Sequence, residues 1–186
     1  MSKLICLYSS APQSGKSTVA SVLTDKGYRS LKFAAALKDM LRSLLRSVGY
    51  GEMAIEEALE GSTKETPVWS LGGKTPRELM QTLGTDWGRK LVSPDLWIDI
   101  MSMRVSSALT QGSKVVVDDM RFPNEYEAMK ALGATMVHVM RPNLPAPKTT
   151  HPSEGLLDLA VFDHVLINDL DVSALKEKAY SFVTSP

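Results

Sequence analysis

The stretch Ser10-Ala11-Pro12-Gln13-Ser14-Gly15-Lys16-Ser17-Thr18 decides the fold of this 186-residue chain. It lies between an apolar run at 3–8 and a helical pattern at about 16–24, and it matches the P-loop pattern except that Ser10 replaces the leading glycine. In a P-loop, successive backbone N–H groups and a helix N-terminus surround a polyphosphate. The alternative is a Gly-Lys-Ser tripeptide that opens a helix by chance, but the strand before it and the helix after it favour nucleotide binding.

Individual residues of this loop have separate tasks in phosphate binding. Gly15 lets the main chain approach the ligand closely, Lys16 reaches the β- and γ-phosphates, and the Ser17 hydroxyl ligates Mg²⁺. The predicted nucleotide contacts are Pro12, Gln13, Ser14, Gly15, Lys16, Ser17 and Thr18. Serine tolerates left-handed backbone angles less well than glycine, so Ser10 is the departure that bears on the first turn of the loop.

Composition and charge narrow the class of protein. Hydrophobic residues make up 44% of the chain and charged residues 23%, which is typical of a globular protein and excludes wholesale disorder. The 21 basic residues cancel the 21 acidic ones, which argues against a dedicated duplex-DNA binder but allows a small anionic ligand in a locally basic cleft.

The cysteine count and the N-terminus bear on the compartment. Cys6 is the only cysteine, so no intramolecular disulfide can form and a reducing compartment is expected. The first apolar run is too short for a signal peptide or a membrane-spanning helix. We therefore expect a soluble, cytoplasmic protein.

Strand and helix patterns alternate along the chain. Strands are predicted at 3–8 and 114–117 from apolar runs, at 134–140 from alternation, and also at 28–33 and 163–167, and helical periodicity appears between them. This alternation predicts an α/β fold with a mostly parallel five-stranded sheet covered by helices on both faces. With the loop described above, the fold class is that of a P-loop NTPase.

The order of segments resembles that of small-molecule kinases of this fold, which carry an acceptor-binding insertion and a late lid. We expect one domain, 1–186, with a core at 1–48 and 112–186 and a helical acceptor-binding insertion at about 49–111. Thr75-Pro76-Arg77-Glu78 has a capping-box spacing and predicts a helix toward Leu91. Four of the ten prolines lie between 142 and 152, which predicts a lid loop at about 142–155. A GTPase is disfavoured because Asn168-Asp169-Leu170-Asp171 lacks the lysine of a guanine-recognition sequence.

Three charged residues follow core strands and are candidate catalytic groups together with Lys16. Asp119 can hold Mg²⁺ or orient the acceptor, whereas Asp118 should point to the opposite face of the sheet. Arg121 and Arg141 lie where ligands of open α/β folds bind, and a guanidinium suits phosphate recognition. The alternatives are a pair of solvated carboxylates, a surface salt bridge from Arg121 to Glu125, and a surface role for Arg141.

A second group of candidates lies in the insertion and could bind an acceptor substrate. Arg77, Gln81 and Thr85 recur at four-residue spacing and should share one helical face. Lys38 and Arg89 are further candidates for the same site. A solvated polar stripe is the alternative explanation of this pattern.

Several segments, in order along nearly the whole chain, resemble the bacteriophage deoxynucleoside monophosphate kinases. They are Phe33-Ala34-Ala35-Ala36-Leu37-Lys38, Leu79-Met80-Gln81-Thr82-Leu83-Gly84-Thr85-Asp86 with Arg89 and Trp97 beyond, Asp119-Met120-Arg121-Phe122-Pro123-Asn124-Glu125, Met140-Arg141-Pro142, and His151-Pro152-Ser153-Glu154 with Asn168-Asp169. The resemblance implies transfer of the ATP γ-phosphoryl group to a deoxynucleoside monophosphate with Mg²⁺, in the host cytoplasm if the protein is phage-encoded. It also favours Asp119, with Ser17, as a metal ligand, because Asp119 begins the Asp-x-Arg pattern.

Two other functions remain open at this stage. One is a phage P-loop kinase that phosphorylates 5-hydroxymethyluracil within DNA, which would need a basic track for the polymer. The chain could supply one from Arg42, Arg46, Lys64, Lys74, Arg77, Arg89 and Lys90. The other is a non-catalytic nucleotide-binding module, which would retain Lys16 but lack a convergent set of arginines. A homodimer is compatible with either.

Overall fold

Five parallel strands form one sheet in a computed structural model that describes residues 2–142 and 155–184. The strands are β1 Leu4–Tyr8, β2 Tyr28–Leu31, β3 Lys114–Val117, β4 Thr135–Met140 and β5 His164–Ile167. Their order across the sheet is β2-β3-β1-β4-β5, and each neighbouring pair is parallel. The predicted α/β fold class with a five-stranded sheet is confirmed.

The first strand, β1, lies at the centre of the sheet, and every residue in it is buried. Cys6 pairs with Val117 of β3 on one side and with Met136 of β4 on the other. A strand buried on both faces reads as a continuous apolar run, which is how 3–8 appears in the sequence. Parallel pairing places the carboxyl ends of β1, β3 and β4 at one edge, and the loop that follows β1 lies at this edge.

Helices and short turns connect the strands. The α-helices are α1 Lys16–Asp25, α2 Ala34–Ser47, α3 Glu52–Leu59, α4 Pro76–Gln81, α5 Leu96–Thr110, α6 Pro123–Ala131 and α7 Val172–Thr184. Two 3₁₀ turns, Thr63–Glu65 and Trp69–Leu71, and a π-helix, Thr82–Val92, complete the set. Within the described residues, no helix is sufficiently long and apolar to cross a membrane.

The helix predicted from Thr75 toward Leu91 forms, but only its first part is α-helical. The capping box is confirmed, since Thr75 Oγ1 accepts the Glu78 N–H and the Glu78 carboxylate accepts the Thr75 N–H. From Thr82 the helix changes to π geometry. The Trp97 ring lies where a side chain on Gly88 would be, and its Nε1 donates a 2.8 Å hydrogen bond to the Gly84 carbonyl. This insertion of a side chain against the helix backbone is a tertiary effect that residue spacing does not reveal.

The chain divides into two compact units, residues 1–33 with 101–186 and residues 34–100. We call them unit 1 and unit 2. These bounds come from contacts within the structure and differ from the predicted insertion limits of about 49 and 111, which stay a prediction. Each unit has its own apolar core.

The core of unit 1 is built on the sheet. One face of the sheet, including Ile5, Leu7 and Val137, packs on α1 and α7. On the other face Phe162 stacks on Tyr8 of β1 and contacts the edge of Tyr126 in α6. Helices therefore lie on both faces of the sheet, as predicted.

The core of unit 2 is helical. Leu41 and Leu45 of α2 pack with Ile55 and Leu59 of α3 and with Val68, and all five are nearly inaccessible to water. Leu37, Leu79, Met80 and Leu83 pack around this cluster. The apolar sides of α2 and α4 are thus used for packing, which leaves their charged residues at the surface.

Candidate active site

The loop between β1 and α1 contains two residues with left-handed backbone angles. Gly15 has φ 104° and Gln13 has φ 62°, both in the left-handed region. A Cβ on Gly15 would lie 2.5 Å from Leu175 Cδ2 and 2.9 Å from Asn168 Nδ2, so a larger residue fits neither the angle nor the space. Among non-glycine residues of the described segments, Gln13 alone has positive φ, so Ser10 needs no left-handed angle in this loop.

The first turn of α1 offers backbone donors at the end of this loop. Gly15 is the N-cap and supplies no side-chain cap, and the first turn carries no acidic residue. The first N–H groups of a helix have no acceptor within the helix, and the helix dipole adds positive potential there. An anion at this point gains both hydrogen bonds and a favourable field.

Lys16 turns its ammonium group back over the loop. Lys16 Nζ donates a 2.7 Å hydrogen bond to Ser9 Oγ, and Ser9 Oγ donates to the Ala11 carbonyl at 3.0 Å. Ser9 is buried at the end of β1. The contact with Ser9 is to a neutral oxygen, a weaker partner for an ammonium group than a phosphate oxygen would be.

Two side chains from neighbouring strand ends hold carbonyl groups of the loop. Arg141, directly after β4, donates from Nη1 to the Gln13 carbonyl at 3.3 Å. Asn168, directly after β5, donates from Nδ2 to the Ser14 carbonyl at 2.9 Å. Sequence reasoning assigned Arg141 to the site, whereas Asn168 entered only with the Asn168-Asp169 pair of the family resemblance and received no role in the site. The available signal was its position, since it ends a parallel strand at the edge where ligands bind.

Ser10 is the start of a cluster beside the loop. Its Oγ lies 3.4 Å from His138 Nε2, and the Tyr8 hydroxyl donates to Asp158 Oδ1 at 2.7 Å. Burial, reinforced by the Asp158 carboxylate, raises the pKa of Tyr8 to about 12, so the phenol is uncharged at neutral pH. Burial lowers the pKa of His138; Asp158 opposes this effect and Lys16 adds to it. The cluster therefore places a neutral tyrosine and a neutral imidazole next to Ser10.

The two aspartates after β3 have different surroundings. Asp118 is buried and pairs with Lys32, whose Nζ lies 3.2 Å from Oδ1, and that oxygen accepts no hydrogen bond. Asp119 Oδ1 accepts the Phe33 N–H at 2.9 Å. Burial raises the pKa of the Cys6 thiol, and the Asp119 carboxylate adds to the shift.

Two of the predicted site residues, Ser17 and Asp119, carry oxygen donors of the kind that suits Mg²⁺. Magnesium is usually held by one or two protein oxygens together with phosphate oxygens and water. Ser17 supplies a hydroxyl in the first turn of α1, and Asp119 supplies a carboxylate at the end of β3. The chemistry of this donor set fits the ion, and the assignment of Ser17 and Asp119 as ligands stays a prediction.

The backbone around Arg121 is fixed by a buried carboxylate. Glu125, 3% exposed, accepts the N–H groups of Arg121 at 2.7 Å and of Phe122 at 3.1 Å. Within residues 2–142 and 155–184, no carboxylate forms a salt bridge with the Arg121 guanidinium, which is exposed. Glu125 thus holds the main chain at the start of α6 and leaves the Arg121 side chain directed outward.

The acceptor candidates in unit 2 are mostly engaged by carboxylates or carbonyls. Lys38 Nζ lies 2.7 Å from Glu60 Oε1, and Arg77 Nε pairs with Glu65. Arg89 donates to the Pro94 carbonyl at 3.3 Å. Gln81 is exposed at the end of α4, and Thr85 is half-buried in the π-helix. The five residues lie in one unit, and their role in acceptor binding stays a prediction.

The basic track that a DNA acceptor would need is largely neutralised. Five of its seven members pair with carboxylates of unit 2. The pairs are Arg42 with Glu56, Arg46 with Glu52, Lys74 with Glu78, Arg77 with Glu65 and Lys90 with Asp86. Cations that are already paired release fewer counterions when they meet a polyanion. Phosphorylation of a base within DNA is therefore not supported.

The predicted lid at about 142–155 falls almost entirely outside the described residues. Of its residues, the structure describes Pro142 and Gly155, which lie at its two ends. The lid stays a prediction.

Comparisons with known proteins identify the family. Residues 55–179 match the model of the deoxynucleotide monophosphate kinase family. A protein of Acanthamoeba polyphaga mimivirus is 32% identical over 185 residues, covering 92% of this chain and 90% of its own.

Two phage enzymes show similar identity over shorter stretches. The deoxynucleoside-5'-monophosphate kinase of Escherichia phage T5 is 31% identical over 68% of this chain and 52% of its own. The deoxynucleotide monophosphate kinase of Enterobacteria phage T4 is 32% identical over 55% of this chain and 42% of its own. The matches span about half the length of these two enzymes, and the mimivirus match spans nearly all of this chain. The chain belongs to the deoxynucleotide monophosphate kinase family.

Proposed function

We propose that this protein transfers the γ-phosphoryl group of ATP to a deoxynucleoside monophosphate, giving the diphosphate for DNA precursor synthesis. Membership of the kinase family supports this activity. The observation that carries it is the position of Lys16, at the N-terminus of a helix that follows a glycine in left-handed conformation and a central buried strand. These are the parts that bind the phosphates of a nucleotide in a P-loop protein.

ATP binds through the residues 12–18. The N–H groups of the loop and of the first turn of α1 surround the β- and γ-phosphates, and Lys16 exchanges Ser9 for a phosphate oxygen. Mg²⁺, held by Ser17 and Asp119, would neutralise charge on the β- and γ-phosphates. Phosphoryl transfer requires positioning and charge stabilisation more than covalent chemistry, so cations are the groups that matter most.

Arg121 and Arg141 are the proposed cations of the transfer step. The Arg121 side chain extends from a main chain that Glu125 holds in place. Arg141 donates one hydrogen bond from Nη1 to the Gln13 carbonyl. A guanidinium has five N–H donors, so further N–H groups of Arg141 can bind phosphate oxygens. A guanidinium that contacts the γ-phosphate stabilises the charge that develops during transfer.

The acceptor monophosphate binds through Lys38, Arg77, Gln81, Thr85 and Arg89. Lys38 and Arg77 each face a glutamate at present. The Arg77–Glu65 pair is exposed on both sides, and exposed salt bridges contribute little stability, so a dianionic phosphate can replace Glu65 at small cost. Gln81 and Thr85 offer amide and hydroxyl groups for the base or the sugar.

One assay tests the proposed activity. ADP release is measured with MgATP and each deoxynucleoside monophosphate, with the ribonucleoside monophosphates, and with DNA that contains 5-hydroxymethyluracil. We expect release with at least one deoxynucleoside monophosphate and none above background with the DNA. Activity confined to the DNA would contradict the proposal, and activity with ribonucleotides alone would correct the substrate class.

A further inference from the structure

We infer that Asn168 is a positioning residue for ATP binding. Its side chain holds the Ser14 carbonyl by a hydrogen bond, and this orients the Gly15 N–H toward the phosphates. The inference rests on the proposed function, since it assumes that the loop binds ATP. Asn168 Nδ2 lies 2.9 Å from the Ser14 carbonyl oxygen, across 154 positions of sequence. Both residues are buried, Ser14 at 3% and Asn168 at 8% exposure.

The geometry of the peptide bond links this contact to the ligand side of the loop. The Ser14 C=O and the Gly15 N–H belong to one planar trans peptide, so they point in opposite directions. When Asn168 holds the carbonyl toward the β5 end of the sheet, the Gly15 N–H must point away from it. Asn168 thereby fixes the direction of a phosphate-binding donor without touching the ligand.

The position of Asn168 is itself fixed from two sides. Its backbone N–H donates a 2.7 Å hydrogen bond to the Met140 carbonyl, which continues the β4–β5 pairing. Its amide lies beside Gly15, 2.9 Å from the place that a Cβ on Gly15 would occupy, and Leu175 of α7 fills the adjacent space. The Asn168 side chain therefore has little freedom to rotate, and its NH₂ group stays directed at the Ser14 carbonyl oxygen.

The hydrogen bond to the Ser14 carbonyl requires the NH₂ group of an amide, and a side chain of the same shape without that donor cannot form it. The Ser14 carbonyl oxygen accepts hydrogen bonds and cannot donate, so the atom facing it must be the NH₂ group of the amide. An aspartate has nearly the same shape but would place a carboxylate oxygen against the carbonyl oxygen. Shape and donor capacity can therefore be separated by substitution.

Two substitutions at Asn168 separate positioning from packing. Asn168→Asp keeps the volume and replaces the donor with an acceptor, so it should push the Ser14 carbonyl and the Gly15 N–H out of place. Asn168→Ala removes the donor without adding repulsion, and loss of a buried hydrogen bond should weaken MgATP binding about tenfold. We expect the aspartate variant to bind MgATP more weakly than the alanine variant, although it preserves the shape better.

The measurements are the dissociation constant for MgATP, the KM for each substrate and the midpoint of thermal unfolding. The KM for the deoxynucleoside monophosphate should stay within about twofold of the wild-type value, because Asn168 acts on the ATP loop alone. Asp169→Asn is the matched control, since it lies one residue further on and loses only an exposed 2.6 Å salt bridge with Lys178. It should bind MgATP like the wild type.

A packing role would give the opposite order, with the aspartate variant near wild type and the alanine variant weaker and less stable. That order, or unchanged MgATP affinity in both variants, would overturn the inference while leaving the proposed kinase activity intact. A wild-type protein that binds no MgATP would instead overturn the proposed function itself. The alanine variant adds no buried charge, so it still tests the inference if the aspartate variant does not fold, because unchanged MgATP affinity in the alanine variant would overturn it.

Discussion

The ammonium group of Lys16 donates a 2.7 Å hydrogen bond to the hydroxyl of Ser9, seven residues earlier in the chain. This contact holds the lysine side chain over the loop between β1 and α1. Ser9 is held in turn by the Ala11 carbonyl, so its hydroxyl oxygen faces the lysine. A phosphate oxygen carries more negative charge than this hydroxyl, so the ammonium group gains a Coulomb attraction there that a neutral oxygen does not provide. Binding of ATP should therefore draw Lys16 away from Ser9.

Replacing Lys16 with alanine is expected to lower the kcat for ADP release by on the order of 10²- to 10³-fold, the scale for loss of one transition-state donor. Steady-state kinetics with saturating MgATP and a deoxynucleoside monophosphate measure the effect. Lys26→Ala is the control, because Lys26 lies at the other end of α1 with its ammonium 4.0 Å from the Tyr180 ring centre. Near-normal turnover of the Lys16 variant would remove this residue from the active site.

Replacing Gly15 with alanine should abolish tight MgATP binding and destabilise the fold. A side chain at φ 104° is strained, which costs about 1–3 kcal/mol in unfolding free energy, and the new Cβ would also collide with Leu175 and Asn168. Urea denaturation and ATP titration measure the two effects.

The control for Gly15 is Gly27→Ala. Gly27 has φ +83°, but no atom lies within 4 Å of the position that a Cβ would take there, so this variant isolates the strain from the collision. We expect it to lose some stability and to bind MgATP normally. Equal loss of ATP binding in both variants would contradict the assignment of Gly15 to the phosphate site.

Replacing Arg77 with alanine is expected to raise the KM for the deoxynucleoside monophosphate about tenfold, because a charge-assisted hydrogen bond to phosphate is lost. The KM for MgATP should not change. Initial rates over a range of acceptor concentrations measure the effect.

Arg46→Ala is a closely matched control for Arg77. Both arginines pair with a glutamate through Nε, and their side chains are 53% and 52% exposed. Only Arg77 is proposed to contact the substrate, so Arg46→Ala should leave both KM values unchanged. If the two variants behave alike, Arg77 belongs to the solvated surface.

Acid should destabilise the folded protein through His138. Burial lowers the pKa of this histidine in the folded state, so between that pKa and about 6.5 the unfolded chain binds more protons than the folded one. The stabilisation is complete above about pH 6.5 and is lost as the pH falls through this window. Urea denaturation at about pH 7.5 and 5.5, on either side of the unfolded pKa, measures the change in unfolding free energy.

A substitution tests whether His138 is the source of this pH dependence. The groups around it are Tyr8, Ser10, Lys16, Asp158 and Phe162. His138→Gln should reduce the loss of stability between the two pH values, whereas His164→Gln, on the exposed edge strand β5, should not. An unchanged pH dependence in the His138 variant would assign the effect to other groups.

Local patterns were sufficient for the strands, the P-loop and the start of α4. The apolar run at 3–8 became the central strand because only a strand buried on both faces uses apolar residues continuously. The capping box at Thr75 and Glu78 formed because its hydrogen bonds join residues three positions apart. Features of this kind depend on neighbours in sequence, so they can be read from the chain directly.

Other features depend on groups that meet only after folding. The π-helix from Thr82 to Val92 accompanies the packing of Trp97 against Gly88, and no helical periodicity predicts it. The charged side chains of α2 could have formed a basic track. In the folded chain Glu56 of α3 lies 2.7 Å from Arg42, and Glu60, just after α3, lies 2.7 Å from Lys38. Charge at a surface is set by the partners that the tertiary structure supplies.

The amino-acid sequence by itself determined that the chain forms an α/β sheet with a loop of the P-loop pattern between β1 and α1, and its ordered motifs pointed to the kinase family. The tertiary structure alone decided which groups support that loop. Asn168 lies 154 positions from Ser14, and nothing local to either residue indicates that they form a hydrogen bond. The contact exists because parallel β1, β4 and β5 end at the same edge of the sheet, where residues distant in sequence meet around the loop that follows β1.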